Sequence, residues 1–63
     1  MKKRVYFELE KETKNMVRYQ EVDKDGEVVD QEDAKIPTIY ISKNLFKGRK
    51  EMPEQIEILV IAE

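Results

Sequence analysis

Val5-Tyr6-Phe7-Glu8-Leu9-Glu10 decides the fold. Successive side chains of a strand point to opposite faces, so a period of about two marks a strand with one buried face. Val5, Phe7 and Leu9 fall on one side here, and Tyr6, Glu8 and Glu10 on the other. Lys11 to Asn15 is polar, and Asn15 tolerates the left-handed conformation that turns use. Met16-Val17-Arg18-Tyr19-Gln20-Glu21-Val22 then resumes a strand, with Val17 and Tyr19 as its inward pair. The two segments predict a hairpin closed by a loop of about five residues, within the usual range.

Downstream, Asp23-Lys24-Asp25-Gly26 is the strongest turn signal in the chain, because Asp-Gly supplies the positive φ of tight turns. Glu27-Val28-Val29 predicts a short returning strand, and Asp30 to Lys35 a polar loop. Pro37 lacks a donor and belongs at a strand start or edge. Thr38-Ile39-Tyr40-Ile41-Ser42 alternates again, with Ile39 and Ile41 inward and Tyr40 outward. Ser42 is placed to cap a short helical turn over residues 43–47, with Gly48 as its stop. Ile56-Glu57-Ile58-Leu59-Val60-Ile61-Ala62 is apolar on both faces beyond Glu57, as in a central strand or one covered by another subunit. Ile58 and Val60 fit one face, Leu59 and Ile61 the other. The expectation is a mainly β, small α+β fold. It is one domain over residues 1–63, with an antiparallel sheet of about four to five short strands and one helical turn.

A chain of 63 residues buries only about 60% of the surface that it exposes when unfolded. Such scaffolds usually add a disulfide, a metal or a partner subunit. With no histidine and no cysteine, a disulfide and an ordinary zinc site are excluded. A homodimer is the remaining common solution, with Ile56, Ile58, Leu59, Val60 and Ile61 as the candidate self-association strand. No apolar run reaches the roughly 18 residues of a membrane helix, and Met1-Lys2-Lys3-Arg4 leads into alternation rather than an apolar signal segment. A soluble, cytoplasmic protein without a cofactor is expected.

The net charge of −2 hides a segregation. Lys2, Lys3, Arg4, Lys11, Lys14 and Arg18 outnumber Glu8, Glu10 and Glu12 in the first segment. Glu21, Asp23, Asp25, Glu27, Asp30, Glu32 and Asp33 follow, opposed only by Lys24. From Lys35 through Lys43, Lys47 and Arg49 to Lys50 every charge is positive. Pairing between these blocks, across strands or across a dimer, contributes roughly 0.2–1 kcal/mol per pair. The competing reading is a basic nucleic-acid surface of Lys43, Lys47, Arg49 and Lys50, with Tyr40 as a stacking platform.

Residues 21–32 also approximate a calcium loop. With Gly26 at the sixth position, Asp23, Asp25 and Glu32 stand at the third, fifth and twelfth. Glu21 replaces the usual first aspartate, and β-branched and aromatic residues precede the loop where a helix should enter. A hairpin turn explains Asp25-Gly26 without a metal. Catalysis has less to draw on. Ser42 and Thr38 have no histidine to activate them, no glycine-rich phosphate loop exists, and the carboxylates read as solvated faces or turns.

Glu12-Thr13-Lys14-Asn15, Val17-Arg18-Tyr19-Gln20-Glu21, Asp33-Ala34-Lys35-Ile36, Ile39-Tyr40-Ile41-Ser42-Lys43 and Pro53-Glu54-Gln55-Ile56 together resemble a group of short uncharacterised bacterial proteins, over nearly the whole chain. No activity transfers from that group. Ile39 to Val60 is also faintly similar to AbrB-type dimeric DNA-binding domains. That family has a longer helix, and a glycine where Met52-Pro53-Glu54 stands here. The leading expectation is a non-enzymatic interaction module that self-associates and binds a protein partner; the alternative is a small nucleic-acid binder using Lys35 to Lys50.

Overall fold

Two strands joined by a three-residue turn form the centre of the computed structural model, which describes residues 1–63. β1 (Lys2–Glu12) pairs antiparallel with β2 (Met16–Val22), placing Phe7 opposite Glu21 and Leu9 opposite Tyr19. β1 runs further than the polar residues Lys11 and Glu12 suggest, so the expected five-residue loop shrinks to Thr13–Asn15. Thr13 compensates: its hydroxyl and its backbone N–H both engage Met16, closing the turn.

The register slips between Leu9 and Lys11, leaving Glu10 as the extra residue of a bulge. A bulge bends its strand and sharpens the local twist. The sheet accordingly curls into a half-barrel. Its strand order is β3-β2-β1-β4, with β3 at Thr38–Ser42 and β4 at Gln55–Ile61, all neighbours antiparallel. The short helical turn expected over residues 43–47 is a 3-10 turn over Lys43–Phe46. Ser42 caps it by accepting the Asn44 N–H at 3.2 Å, and Gly48 takes φ +94° just beyond it.

The inner face carries the core. Val5, Phe7, Val17 and Tyr19 are buried, and Leu9, Ile39, Ile41, Ile56, Ile58 and Val60 pack around them at half-burial. This follows the alternation strand by strand, at roughly 1.5–3 kcal/mol per fully buried large side chain. Two connections close over it. The segment from Lys47 to Glu54 crosses from one edge of the sheet to the other. It is held where the Tyr19 hydroxyl donates to the Pro53 carbonyl at 2.8 Å and the Leu9 N–H to the Glu54 carbonyl at 2.7 Å. Phe46 meets the Tyr19 ring edge-on at 6.4 Å. The second connection, residues 23–37, is fastened by Glu21, whose Oε1 accepts the Ile36 N–H at 2.8 Å and whose carbonyl accepts the Val29 N–H at 3.1 Å.

Two expectations are corrected. Glu27-Val28-Val29 falls short of a strand: it returns along the end of β2 for a single antiparallel bridge, Val22 to Val28, flanked by the Asp23 N–H to the Glu27 carbonyl at 2.9 Å and the Val29 N–H to the Glu21 carbonyl, and Val28 stays exposed. Of the two settings expected for the terminal strand, the central one is ruled out. β4 pairs only with β1 and is an edge.

Burial holds the Tyr19 hydroxyl pKa above 10, reinforced by the Glu12 carboxylate and opposed by Arg49. The raised value means that this contribution to stability is complete below the unfolded tyrosine pKa and is lost as pH climbs through the folded one. Tyr19→Phe leaves the Pro53 carbonyl without its donor and is expected to cost about 1–2 kcal/mol at neutral pH. It should also flatten the fall in stability above pH ~10. Urea midpoints for both proteins across that range check this; identical pH profiles would contradict it.

Candidate functional site

The edge strand β4 presents an alternating stripe. Ile56, Ile58 and Val60 face the core opposite Phe7, Val5 and Lys3, whereas Glu57, Leu59 and Ile61 lie on the outer face beside Tyr6, Arg4 and Lys2. Leu59 is 47% exposed and Ile61 62% exposed. Both apolar sides of this strand were legible in its sequence; the structure covers one and leaves the other open. Arg4 reaches Glu57 at 3.5 Å across the strand pair, so the one charge of β4 is already partnered.

The basic candidates divide. Lys47, Arg49 and Lys50 are exposed around the end of the 3-10 turn. Lys43 is instead paired with Glu12 at 3.1 Å. Tyr40 is exposed on the outer face, as its position opposite Ile39 and Ile41 predicts. The Arg18 guanidinium lies 5.9 Å from its ring centroid, and Arg18 Nε sits 2.6 Å from Glu10. One side of that aromatic platform is therefore occupied by a cation from its own sheet.

Pairing between the acidic and basic blocks, expected from the charge pattern, takes a different form. The three ion pairs draw on Glu10, Glu12 and Glu57, and none uses a residue of the 21–33 block. Exposed pairs of this kind contribute little each. What remains is a molecule with an acidic loop beyond the end of β2 and a basic one beyond the 3-10 turn, at opposite ends of the sheet.

Asp23 is a turn residue. Its Oδ1 accepts the N–H groups of Asp25 at 2.9 Å and Glu27 at 3.0 Å, and its carbonyl accepts Gly26 N–H at 3.0 Å. Gly26 takes φ +86°, the reason a glycine stands there. Asp23, Asp25 and Glu32 are exposed, and no group of three acidic side chains converges into a cation site.

Sequence reasoning missed Glu21, which sat within a block taken as solvated. It is 3% exposed and acts as a fastener. The signal was present, since Glu21 shares its parity with Val17 and Tyr19.

The fold also holds more hollow surface than its size suggests. A cleft of ≈ 390 Å³ opens between Met1, Lys3, Val5, Lys35, Ile36 and Val60. That volume is within the range of ligand pockets, at about 300 Å³ and above. Its walls are apolar with two lysines and carry no carboxylate or hydroxyl, so no acid–base pair faces it. Two smaller hollows, ≈ 240 and ≈ 270 Å³, flank the Asp23 turn. No helix is long and apolar enough to cross a membrane.

No protein-family model matches the chain, and neither the curated proteins nor the solved structures compared with it provide a match. Nothing in these comparisons bears on the AbrB-type likeness.

With Asp23 Oδ1 already holding two amides of its own turn, calcium is expected to leave the amide signals of Asp23, Asp25 and Glu32 in place. A titration followed by ¹H–¹⁵N correlation spectra checks this. Saturable shifts confined to those residues would contradict it.

Proposed function

We propose that the chain is a non-enzymatic, β-rich interaction module that self-associates through Gln55–Ile61 and offers its charged loops to a protein partner. The observation that carries this reading is the open edge of β4, with Leu59 and Ile61 exposed beside it. An edge strand with free backbone groups is a template for a further strand, and main-chain bonding then supplies affinity while alternate side chains supply selectivity. The absence of imidazole and thiol, and an apolar cleft without an acid–base pair, support the non-enzymatic part.

Binding of nucleic acid along Lys35–Lys50 is the competing reading. Exposed Lys47, Arg49 and Lys50 support it. It has less to work with than the sequence promised, because Lys43 and Tyr40 already have partners in Glu12 and Arg18.

The solution mass of the wild-type chain is expected to rise toward twice 7.5 kDa as concentration increases. Leu59→Glu should weaken association by about tenfold, since it removes an apolar side chain from the shared edge and adds a second carboxylate beside Glu57. The exposed position of Leu59 leaves the fold itself unaffected, so far-UV circular dichroism should not change. Sedimentation equilibrium on both proteins is the measurement. A wild-type mass of one chain at every concentration would contradict self-association.

A further inference from the structure

We infer that two copies of the chain join edge to edge through β4, antiparallel, with Ile58 on the two-fold axis. This rests on β4 being the docking element and adds the partner and the register.

The phase of the backbone comes first. The Leu9 N–H reaches the Glu54 carbonyl, and the Ala62 N–H reaches the Met1 carbonyl at 2.8 Å. Between them the register runs unbroken, with Phe7 opposite Ile56, Val5 opposite Ile58 and Lys3 opposite Val60. Antiparallel ladders alternate bonded and non-bonded pairs. Ile56, Ile58 and Val60 therefore spend their backbone groups on β1, and Gln55, Glu57, Leu59 and Ile61 aim theirs at the free edge.

That edge is lightly guarded, with Glu57 as its one charge. Proteins blunt exposed edges with lysine, proline, bulges or very short strands. β4 runs seven residues with no lysine and no proline, and its pairing has no register shift. The opposite edge, β3, is only five residues long, follows Pro37 and is succeeded at once by Lys43.

The exposed area fits an uncovered protomer. The chain presents 5175 Å² to solvent. Folded monomers of 7.5 kDa present about 4,200 Å². The chain therefore exposes roughly 900 Å² more than a closed monomer of its mass, with Leu59 and Ile61 of β4 among its exposed apolar side chains.

Self-complementarity selects a second copy of this chain. With Ile58 facing Ile58 of the partner subunit, Gln55 pairs with the partner's Ile61 and Glu57 with the partner's Leu59. All four outward residues then bond, about eight new hydrogen bonds in total. Ile56 meets the partner's Val60 on the inner face, and the two half-barrels share one continuous sheet. A register centred on Glu57 would oppose two carboxylates, which is unfavourable. One centred on Leu59 would leave Gln55 beyond the end of the partner's strand. The antiparallel arrangement also sets the acidic-loop end of each chain beside the basic end of the other.

Cysteine scanning reads the register directly, since the chain has no cysteine of its own. Ile58→Cys places two thiols at a non-bonded pair about 4.5 Å apart between Cα atoms, within disulfide reach. Leu59→Cys places them about 8–9 Å apart, beyond it. Mild oxidation should therefore convert the Ile58→Cys protein to a covalent dimer at least tenfold faster than the Leu59→Cys protein. Ile58 packs against the core, so an isotope-filtered NOE experiment on mixed labelled and unlabelled wild-type chains provides a second reading without a variant. Contacts from Ile56 to the partner's Val60 are expected. A dimer by mass that crosslinks faster at position 59, or that lacks those NOEs, would overturn the register while leaving self-association standing. A chain that stays monomeric would overturn both.

Discussion

Four side chains on one face of one hairpin organise this protein. Val5 and Phe7 on β1, with Val17 and Tyr19 on β2, are the buried cluster against which nine half-buried apolar side chains pack. The two edge strands, the 3-10 turn and both long connections are positioned by what they lay over it. Tyr19 contributes at two levels, because its ring meets Phe46 and its hydroxyl fixes the crossing segment at Pro53. A domain of this size has few kilocalories to spare. That is why a backbone carbonyl and a buried carboxylate such as Glu21 are recruited as fasteners rather than left to water.

The same economy leaves the molecule open. Six residues are buried, too few to close a half-barrel from inside, and the sheet ends on strands that differ in kind. β3 is short, flanked by proline and lysine, and its exposed Tyr40 is covered in part by Arg18. β4 is longer and regular, and its uncovered side ends in the exposed apolar pair Leu59 and Ile61. In the proposed assembly this difference has a purpose: one edge is finished and the other is an attachment point. The charged loops lie beyond the ends of β2 and of the 3-10 turn, with Lys47, Arg49 and Lys50 exposed.

Most of this was legible in the chain because the decisive segments are strands with strict alternation. Val5, Phe7, Val17 and Tyr19 declare their inward face by parity alone, and Ser42 and Gly48 mark the turn that follows β3. Where reading failed, the setting in the fold overrode a local signal. Glu27-Val28-Val29 has strand composition, but its pairing with β2 stops at one bridge, because β2 itself ends at Val22. Glu21 itself was hidden by its acidic neighbours. The apolar run at the end of the chain was correctly seen as two-faced, yet no local rule distinguishes a strand buried centrally from one at the edge of a sheet. The candidate interface was therefore readable as residues and unreadable as a position in the sheet. The charge blocks were plain in the sequence, whereas the pairings were not, since they depend on which strands become neighbours.

Amide hydrogen exchange along β4, measured as a function of protein concentration, tests the central claim most directly. The Ile58 and Val60 amides are bonded to β1 in every state and serve as the internal reference. If β4 is the shared strand, the amides of Leu59 and Ile61 become protected as concentration rises and approach that reference. If they exchange freely at every concentration while Ile58 and Val60 stay protected, the edge has no partner strand and the account is wrong.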